Sequence, residues 1–244
     1  MRRFPSVPAE PSVPDFRRLS ILYEDASVAV VYKPAGLLSV SYPGSTAKTA
    51  LDVLCDLMRK RGRVSARVRP AVVHRLDRDT SGVMVFALTA QAKALLMDDW
   101  NRLVTERRYR ALAENPSGKI ALGDRGVIDS PLSYNAQHRA YVAKGAGRRE
   151  NEAVSAVTRY SVVRRGSRYT LFELELETGR KNQIRAHLAS EGFVIAGDGS
   201  YRAKSDPFGR LCLHARTLAF TQPLTGESLR FEIPEPPEWE KFCR

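Results

Sequence analysis

Apolar positions in this chain fall mostly into short strand-like runs, with a few stretches at helical spacing among them. Residues 21–25 and 28–32 read as two strands joined by a turn at Asp25-Ala26-Ser27. Pro34 ends the second strand, Gly36 permits a tight bend, and Lys33 is left at the strand edge. Val72-Val73 and the run 83–86 form another apolar pair around the turn formers Asp79, Thr80, Ser81 and Gly82. Residues 106–113 read as a strand with alternating basic positions, and 154–163 pairs with 169–177. In the latter, Phe172, Leu174 and Leu176 share one face and Glu173, Glu175 and Glu177 the other.

Helical spacing predicts a helix over 49–61, with Leu51, Leu54, Cys55 and Met58 inward and Gly62 as terminator. A second is predicted from Ala90 to about Leu103, capped by Thr89, with Leu95, Leu96 and Leu103 buried. After the turn at 178–181 a short helix buries Ile184 and Leu188 and closes at Gly192. Residues 115–151 carry five glycines and read as loops, with a basic tip at Lys144, Arg148 and Arg149. Strands outnumber helices and do not alternate with them regularly, a coarse α+β pattern.

Charge sharpens the picture. The 244 residues carry a formal net charge of +12, which points to an acidic partner, with nucleic acid the usual one. Arg59, Lys60, Arg61, Arg63, Arg67, Arg69 and Arg75 follow one another with no acid between them, which favours contact with an RNA backbone over a membrane surface. No apolar run approaches the ~18 residues of a membrane span, and the start lacks the apolar core of a signal peptide. The three cysteines form no C-x-x-C pair and suit a reducing cytoplasm. Residues 1–18, with Pro5, Pro8, Pro11 and Pro14, read as a mobile arm, and 19–244 as one domain, a monomer by default.

Candidate chemistry centres on Asp77, where the strand at Val72-Val73 gives way to the turn, with Arg75 and Arg78 beside it. Guanidinium neighbours favour a charged carboxylate, suited to act as nucleophile or base toward an anionic substrate. The plainer alternative is that Asp77 caps the turn.

The string His74-Arg75-Leu76-Asp77-Arg78-Asp79-Thr80-Ser81-Gly82-Val83-Met84-Val85-Phe86 closely resembles the signature of the RluA-type pseudouridine synthases, which isomerise uridine in RNA. Other segments resemble the same family: Lys33-Pro34-Ala35-Gly36; Arg107, Tyr109 and Ala111 of a K-x-Y-x-A pattern; and Thr178-Gly179-Arg180 through Gln183-Ile184-Arg185 to His187-Leu188. So do Gly197-Asp198-Gly199-Ser200-Tyr201 and Leu213-His214-Ala215, and the likeness spans about 19–237. The resemblance implies an α+β fold with a mixed, mostly antiparallel β-sheet, flanking helices and a central catalytic cleft, here without an N-terminal S4 module. It implies Asp77 as the catalytic residue, Tyr109 against the target base and Arg185 pairing with Asp77. Arg75 would fill the space vacated by the base, and Leu213 would wall the uracil pocket, with His214 structural. Lys33, Arg78, Arg107, Arg180 and Lys181 are candidate RNA contacts. Asn182 stands where many members have His, a departure that leaves the implied catalytic set intact.

The reaction needs neither metal nor cofactor, and the chain carries no H-E-x-x-H, C-x-x-C or P-loop string. Three rival readings remain beside it. Ser81, His74 and Asp77 could form a hydrolytic triad, although no G-x-S-x-G elbow accompanies them. Asp77 and Asp79 could serve a glycosidase as its two carboxylates. A non-catalytic RNA-binding module would account for the charge but not for the motif strings. Ribosomal or transfer RNA are both open as substrates, as is whether Asp77 attacks C1′ or removes a ribose proton.

Overall fold

The computed structural model describes residues 15, 17–118, 122–143 and 153–243. The arm expected over 1–18 and the basic tip at Lys144, Arg148 and Arg149 lie mostly or wholly outside these residues. The chain packs as two compact units. Unit 1 runs to Arg107 and takes back Ala215–Ile233; unit 2 holds Arg108–His214 and the tail from Pro234.

Unit 1 contains β1 (Ser20–Glu24), β2 (Val28–Lys33), β3 (Ala71–Val72) and β4 (Ser81–Ala87). β2 pairs antiparallel with both β1 and β4, and β3 lies antiparallel to β4. Every residue of β2 and β4 is buried, in keeping with their β-branched and aromatic composition. Ser81 and Gly82 belong to β4 rather than to the turn in front of it. β12 (Leu213–Thr221) enters unit 1 at Ala215 and pairs antiparallel with β13 (Ser228–Glu232).

The first predicted helix is α1 (Ala50–Lys60), started by a reciprocal capping box between Thr49 and Asp52. Its buried stripe is Ala50, Leu54 and Met58, so Leu51 and Cys55 sit at the flanks rather than on the seam. The second stops early: α2 (Ala90–Asp98) ends at Asp99, and a separate turn, α3 (Trp100–Leu103), follows. Acids at 98 and 99 oppose the helix dipole at its C-terminal end, and Asp99 instead pairs with Arg102. Leu96 and Leu103 are buried and Leu95 is half-buried. The core of unit 1 joins Val30, Tyr32, Val83 and Val85 to Leu96, Leu218 and Phe220.

β5 (Val104–Glu114) runs from unit 1 into unit 2. In unit 2 it pairs antiparallel with β10 (Tyr169–Leu176), which pairs with β9 (Val157–Arg165), which pairs with β6 (Arg125–Asp129). The alternation read along 169–177 is realised: Phe172 and Leu174 enter the core, while Glu173 meets Arg108 and Arg110 across the strand pair. The glycine-rich stretch is more ordered than its loop reading. It contributes β6 and a hairpin of β7 (Leu132–Tyr134) and β8 (Ala140–Val142). Glycine content misleads there because a strand position such as Gly126, packed against the Tyr160 ring, also needs a residue without a side chain. The remaining elements are α4 (Gln183–Ser190), β11 (Val194–Ile195) on β5, and α5 (Glu238–Lys241), whose Trp239 is fully buried. The strand pairs named in both units are antiparallel, giving an α+β fold with flanking helices.

Candidate active site

In unit 1 the segment 74–82 is held on both sides of Asp77. The Ser39 hydroxyl donates to Leu76 O at 2.7 Å and accepts from Leu76 N–H at 3.1 Å, fixing the peptide before Asp77. The Lys33 ammonium donates to Arg78 O at 2.9 Å, fixing the residue after it. Thr80 N–H closes the turn on Asp77 O at 3.1 Å. The segment then enters β4 through Gly82, whose φ is +126° and whose place leaves no room for a side chain: a Cβ there would stand 2.1 Å from Ala215 O.

His74 anchors the other end. Its Nε2 accepts the Val85 N–H at 3.0 Å, and its ring lies 4.7 Å from that of Trp100. Loss of hydration, with the Arg107 charge adding to it, lowers its pKa to about 3. The imidazole is therefore neutral at physiological pH and serves as a fixed acceptor. Ser81 is fully buried and Nε2 is already engaged, so the triad reading fails on geometry. Asp79 is taken by Arg78 in a bidentate pair at 2.9 and 3.1 Å, which removes the second carboxylate a glycosidase would want.

The reading of Lys33 as an RNA contact needs correction. It has no exposed surface, and its ammonium donates to Pro34 O, Leu37 O and Arg78 O at 2.9, 2.7 and 2.9 Å. A buried lysine whose donors meet three carbonyls is a clamp on the motif loop, not a hand for phosphate. Arg75 and Arg78 remain exposed, and Arg107 is half-buried in the same unit.

Unit 2 carries the second motif. Gln183, at the start of α4, is buried. It accepts from Thr178 Oγ1 and Arg180 N–H at 2.8 and 3.0 Å and donates to Val157 O and Thr158 Oγ1 at 3.0 and 2.9 Å. One turn on, His187 lies 2.9 Å from both Thr158 Oγ1 and Ser130 O. A carbonyl can only accept, so Nε2 carries the proton and Nδ1 accepts from Thr158, which itself accepts from Gln183. This closed set needs a neutral imidazole, and burial lowers the His187 pKa in agreement. Gln183 and His187 thus form a polar buried face beside the predicted Ile184 and Leu188. Their one-turn spacing was visible in the chain, but nothing there marked polar residues as the inner ones.

Asn182, just before α4, has a φ of +55°. Asn tolerates the left-handed region better than most side chains, which suits it to this position. Arg180 and Lys181 beside it are exposed, Arg180 Nε reaching Ser155 O at 3.1 Å.

Arg185 turns away from that polar face. Its Nε and Nη2 grip Asp198 Oδ2 and Oδ1 at 2.7 and 2.8 Å, with side chains 12% and 2% exposed. The Tyr201 ring centroid lies 5.1 Å from the same guanidinium. An ordinary surface salt bridge is thereby excluded. Asp198, named in the sequence only within the Gly-Asp-x-x-Tyr string, is the carboxylate that Arg185 grips. Tyr109 is half-buried on β5 against the unit 2 core, opposite Leu174. Leu213 is part of that core, as is its neighbour Cys212, and His214 is fully buried. Of the expected site residues, unit 1 therefore holds Lys33, Arg75, Asp77, Arg78 and Arg107, and unit 2 holds Tyr109, Arg180, Lys181, Arg185 and Leu213.

Residues 27–190 match the family model for RNA pseudouridylate synthase. The chain belongs to the RNA pseudouridylate synthase family. It is 35% identical over 237 residues to the uncharacterized RNA pseudouridine synthase YhcT of Bacillus subtilis, covering 95% of this chain and 74% of that one. It is also 35% identical over 238 residues to ribosomal large subunit pseudouridine synthase D of Xanthomonas campestris pv. campestris, covering 92% and 68% of the two. Among solved structures, human RNA pseudouridylate synthase domain containing 4 superposes with a TM-score of 0.69 at 25% identity, covering 90% of each chain. The synthase is thus an RNA-modifying isomerase: the uracil N-glycosidic bond breaks and the ribose is rejoined through carbon 5. Among the described residues no helix is long and apolar enough to cross a membrane.

Proposed function

We propose that this synthase modifies uridines in structured ribosomal or transfer RNA, with Asp77 as the catalytic carboxylate and Tyr109 and Arg185 completing the catalytic set. The observation that carries the reading is the bracketing of Asp77: Ser39 fixes Leu76 before it and Lys33 fixes Arg78 after it. Such holding is what preorganisation of a reactive group requires. Motif position supports Tyr109 and Arg185.

The target uridine leaves its stack to be reached, and Arg75 fills the vacated space. Two routes use Asp77, attack on ribose C1′ or removal of a ribose proton. On the first, the Asp77–C1′ ester bond that forms as N1 leaves breaks when C5 bonds to C1′. On the second, the ribose proton taken as N1 leaves is returned when C5 bonds to C1′. On both, the ring turns in between and the C5 proton leaves. Arg185 aims and balances the carboxylate, and Tyr109 lies against the uracil, its hydroxyl available for proton transfer. The exposed Arg78, Arg180 and Lys181, with half-buried Arg107, meet the phosphate backbone. Relatives named for the large ribosomal subunit make ribosomal RNA the first substrate to try. The protein acts as a monomer in the cytoplasm.

The test maps pseudouridines across ribosomal and transfer RNA, by carbodiimide-dependent reverse-transcription stops, in a strain lacking the gene. A position lost on deletion and restored by wild type but not by Asp77→Ala names the substrate and supports the assignment. Restoration by Asp77→Ala overturns it.

A further inference from the structure

Arg185 is held along its edge and over its face by two residues from one short segment. Asp198 takes Nε and Nη2 through two hydrogen bonds of 2.7 and 2.8 Å. At 2% exposure its carboxylate has lost nearly all its water, so this contact replaces hydration rather than competing with it. Asp198 is itself tied down. It begins the single helical turn Gly199–Tyr201, and its side chain accepts the Tyr201 N–H at 3.3 Å. That turn delivers the Tyr201 ring to within 5.1 Å of the guanidinium, a cation–π contact. The Tyr201 hydroxyl donates to Ala140 O at 2.6 Å, joining the same lock to the β7–β8 hairpin. Arg139, beside Ala140 on that hairpin, lies 5.7 Å from the Tyr201 ring and donates to Ser200 O.

We propose that Asp198 and Tyr201 are positioning residues that set the plane and direction of Arg185 for the reaction. With Nε and Nη2 committed to Asp198, the guanidinium presents its Nη1 side in one fixed direction. A guanidinium offers five donors in a rigid fork, so fixing one edge fixes the other. Long side chains otherwise sample many rotamers, and a misplacement of about 1 Å can cost ~100-fold in rate. The Tyr201 hydroxyl also reaches the hairpin at Ala140 O, but the ring over the guanidinium is what positions Arg185. The inference rests on the reading that Arg185 belongs to the catalytic set, and it assigns to the Gly-Asp-x-x-Tyr segment a role through Arg185 alone.

The test is a double-mutant cycle on the full-length protein, reading tritium release from [5-3H]uridine-labelled RNA of a strain lacking the gene. Asp198→Asn keeps the shape and the acceptor for Tyr201 N–H while losing the charge. Single-turnover rate is expected to fall about 10- to 100-fold with RNA affinity changed less than about twofold. Tyr201→Leu removes the ring and should lower the rate in the same way, whereas Tyr201→Phe keeps the ring and restores most of it. In an Arg185→Gln background, Asp198→Asn and Tyr201→Leu should each cost less than about twofold more, since residues acting through one group are not additive. Equal losses in both backgrounds overturn the inference while leaving Arg185 in the catalytic set. An Arg185→Gln enzyme with unchanged rate overturns the Arg185 assignment itself. Should Asp198→Asn not fold, the Tyr201 pair carries the same cycle.

Discussion

The ammonium of Lys33 donates to the backbone carbonyl of Arg78, 45 residues away, at 2.9 Å, and has no exposed surface. A buried charge is costly unless its donors are met, and here carbonyls of Pro34, Leu37 and Arg78 meet them. Lys33→Met should therefore destabilise the protein by on the order of 3 kcal/mol, because three buried acceptors lose their donor. Urea unfolding measures this. A variant of unchanged midpoint and slope would mean the clamp contributes nothing.

Gly82 admits no substitute. Its φ of +126° disfavours any side chain, and a Cβ would collide with Ala215 O at 2.1 Å. Gly82→Ala should cost about 4 kcal/mol or more and reduce soluble yield sharply. Near-wild-type thermal stability in a soluble preparation would contradict the close approach of β4 and β12.

Acid should weaken the fold through its histidines. An unfolded imidazole takes a proton near pH 6.5, whereas folded His74 does so only at about 3. The unfolded state thus binds more protons between these values, so this contribution is full above about 6.5 and declines as pH falls toward 3. The lowered pKa of His187 acts in the same direction. Denaturation curves at pH 7 and pH 5 should show lower stability at pH 5, with a smaller drop for His74→Gln. A wild-type protein that gains stability on acidification would refute the neutral-acceptor role.

Gln183 holds the turn at 178–181 to β9 through four hydrogen bonds. Gln183→Met fills the same volume and strands those partners, at a cost of roughly 2–4 kcal/mol. Turnover should also fall, because Arg185 lies two residues along the helix that Gln183 starts. Hydrogen exchange on residues 178–188 reads the effect: protection equal to wild type would show that the backbone does not depend on this side chain.

Much of this protein was legible in the chain because its signals are local. The period-two alternation of 169–177, the buried runs at 28–32 and 83–86, and the Thr89 cap reflect strand pleat and helix-end chemistry, which neighbours in sequence determine. Motif strings marked Asp77, Tyr109 and Arg185 by position and identified the family. Asn182 too finds a local account, in the left-handed backbone it adopts.

Tertiary structure decided what each polar side chain touches. Lys33 by sequence is a cation at a strand edge; only the folding of 76–80 over it turns that cation inward. Gln183 and His187 look like the outer face of a short helix until β9 presents Thr158 to both. Asp198 is a turn residue until the guanidinium of Arg185 arrives from 13 residues upstream. The reason is common to all three. A buried polar group takes its role from whichever partner replaces its water, and that partner comes from a distant part of the chain.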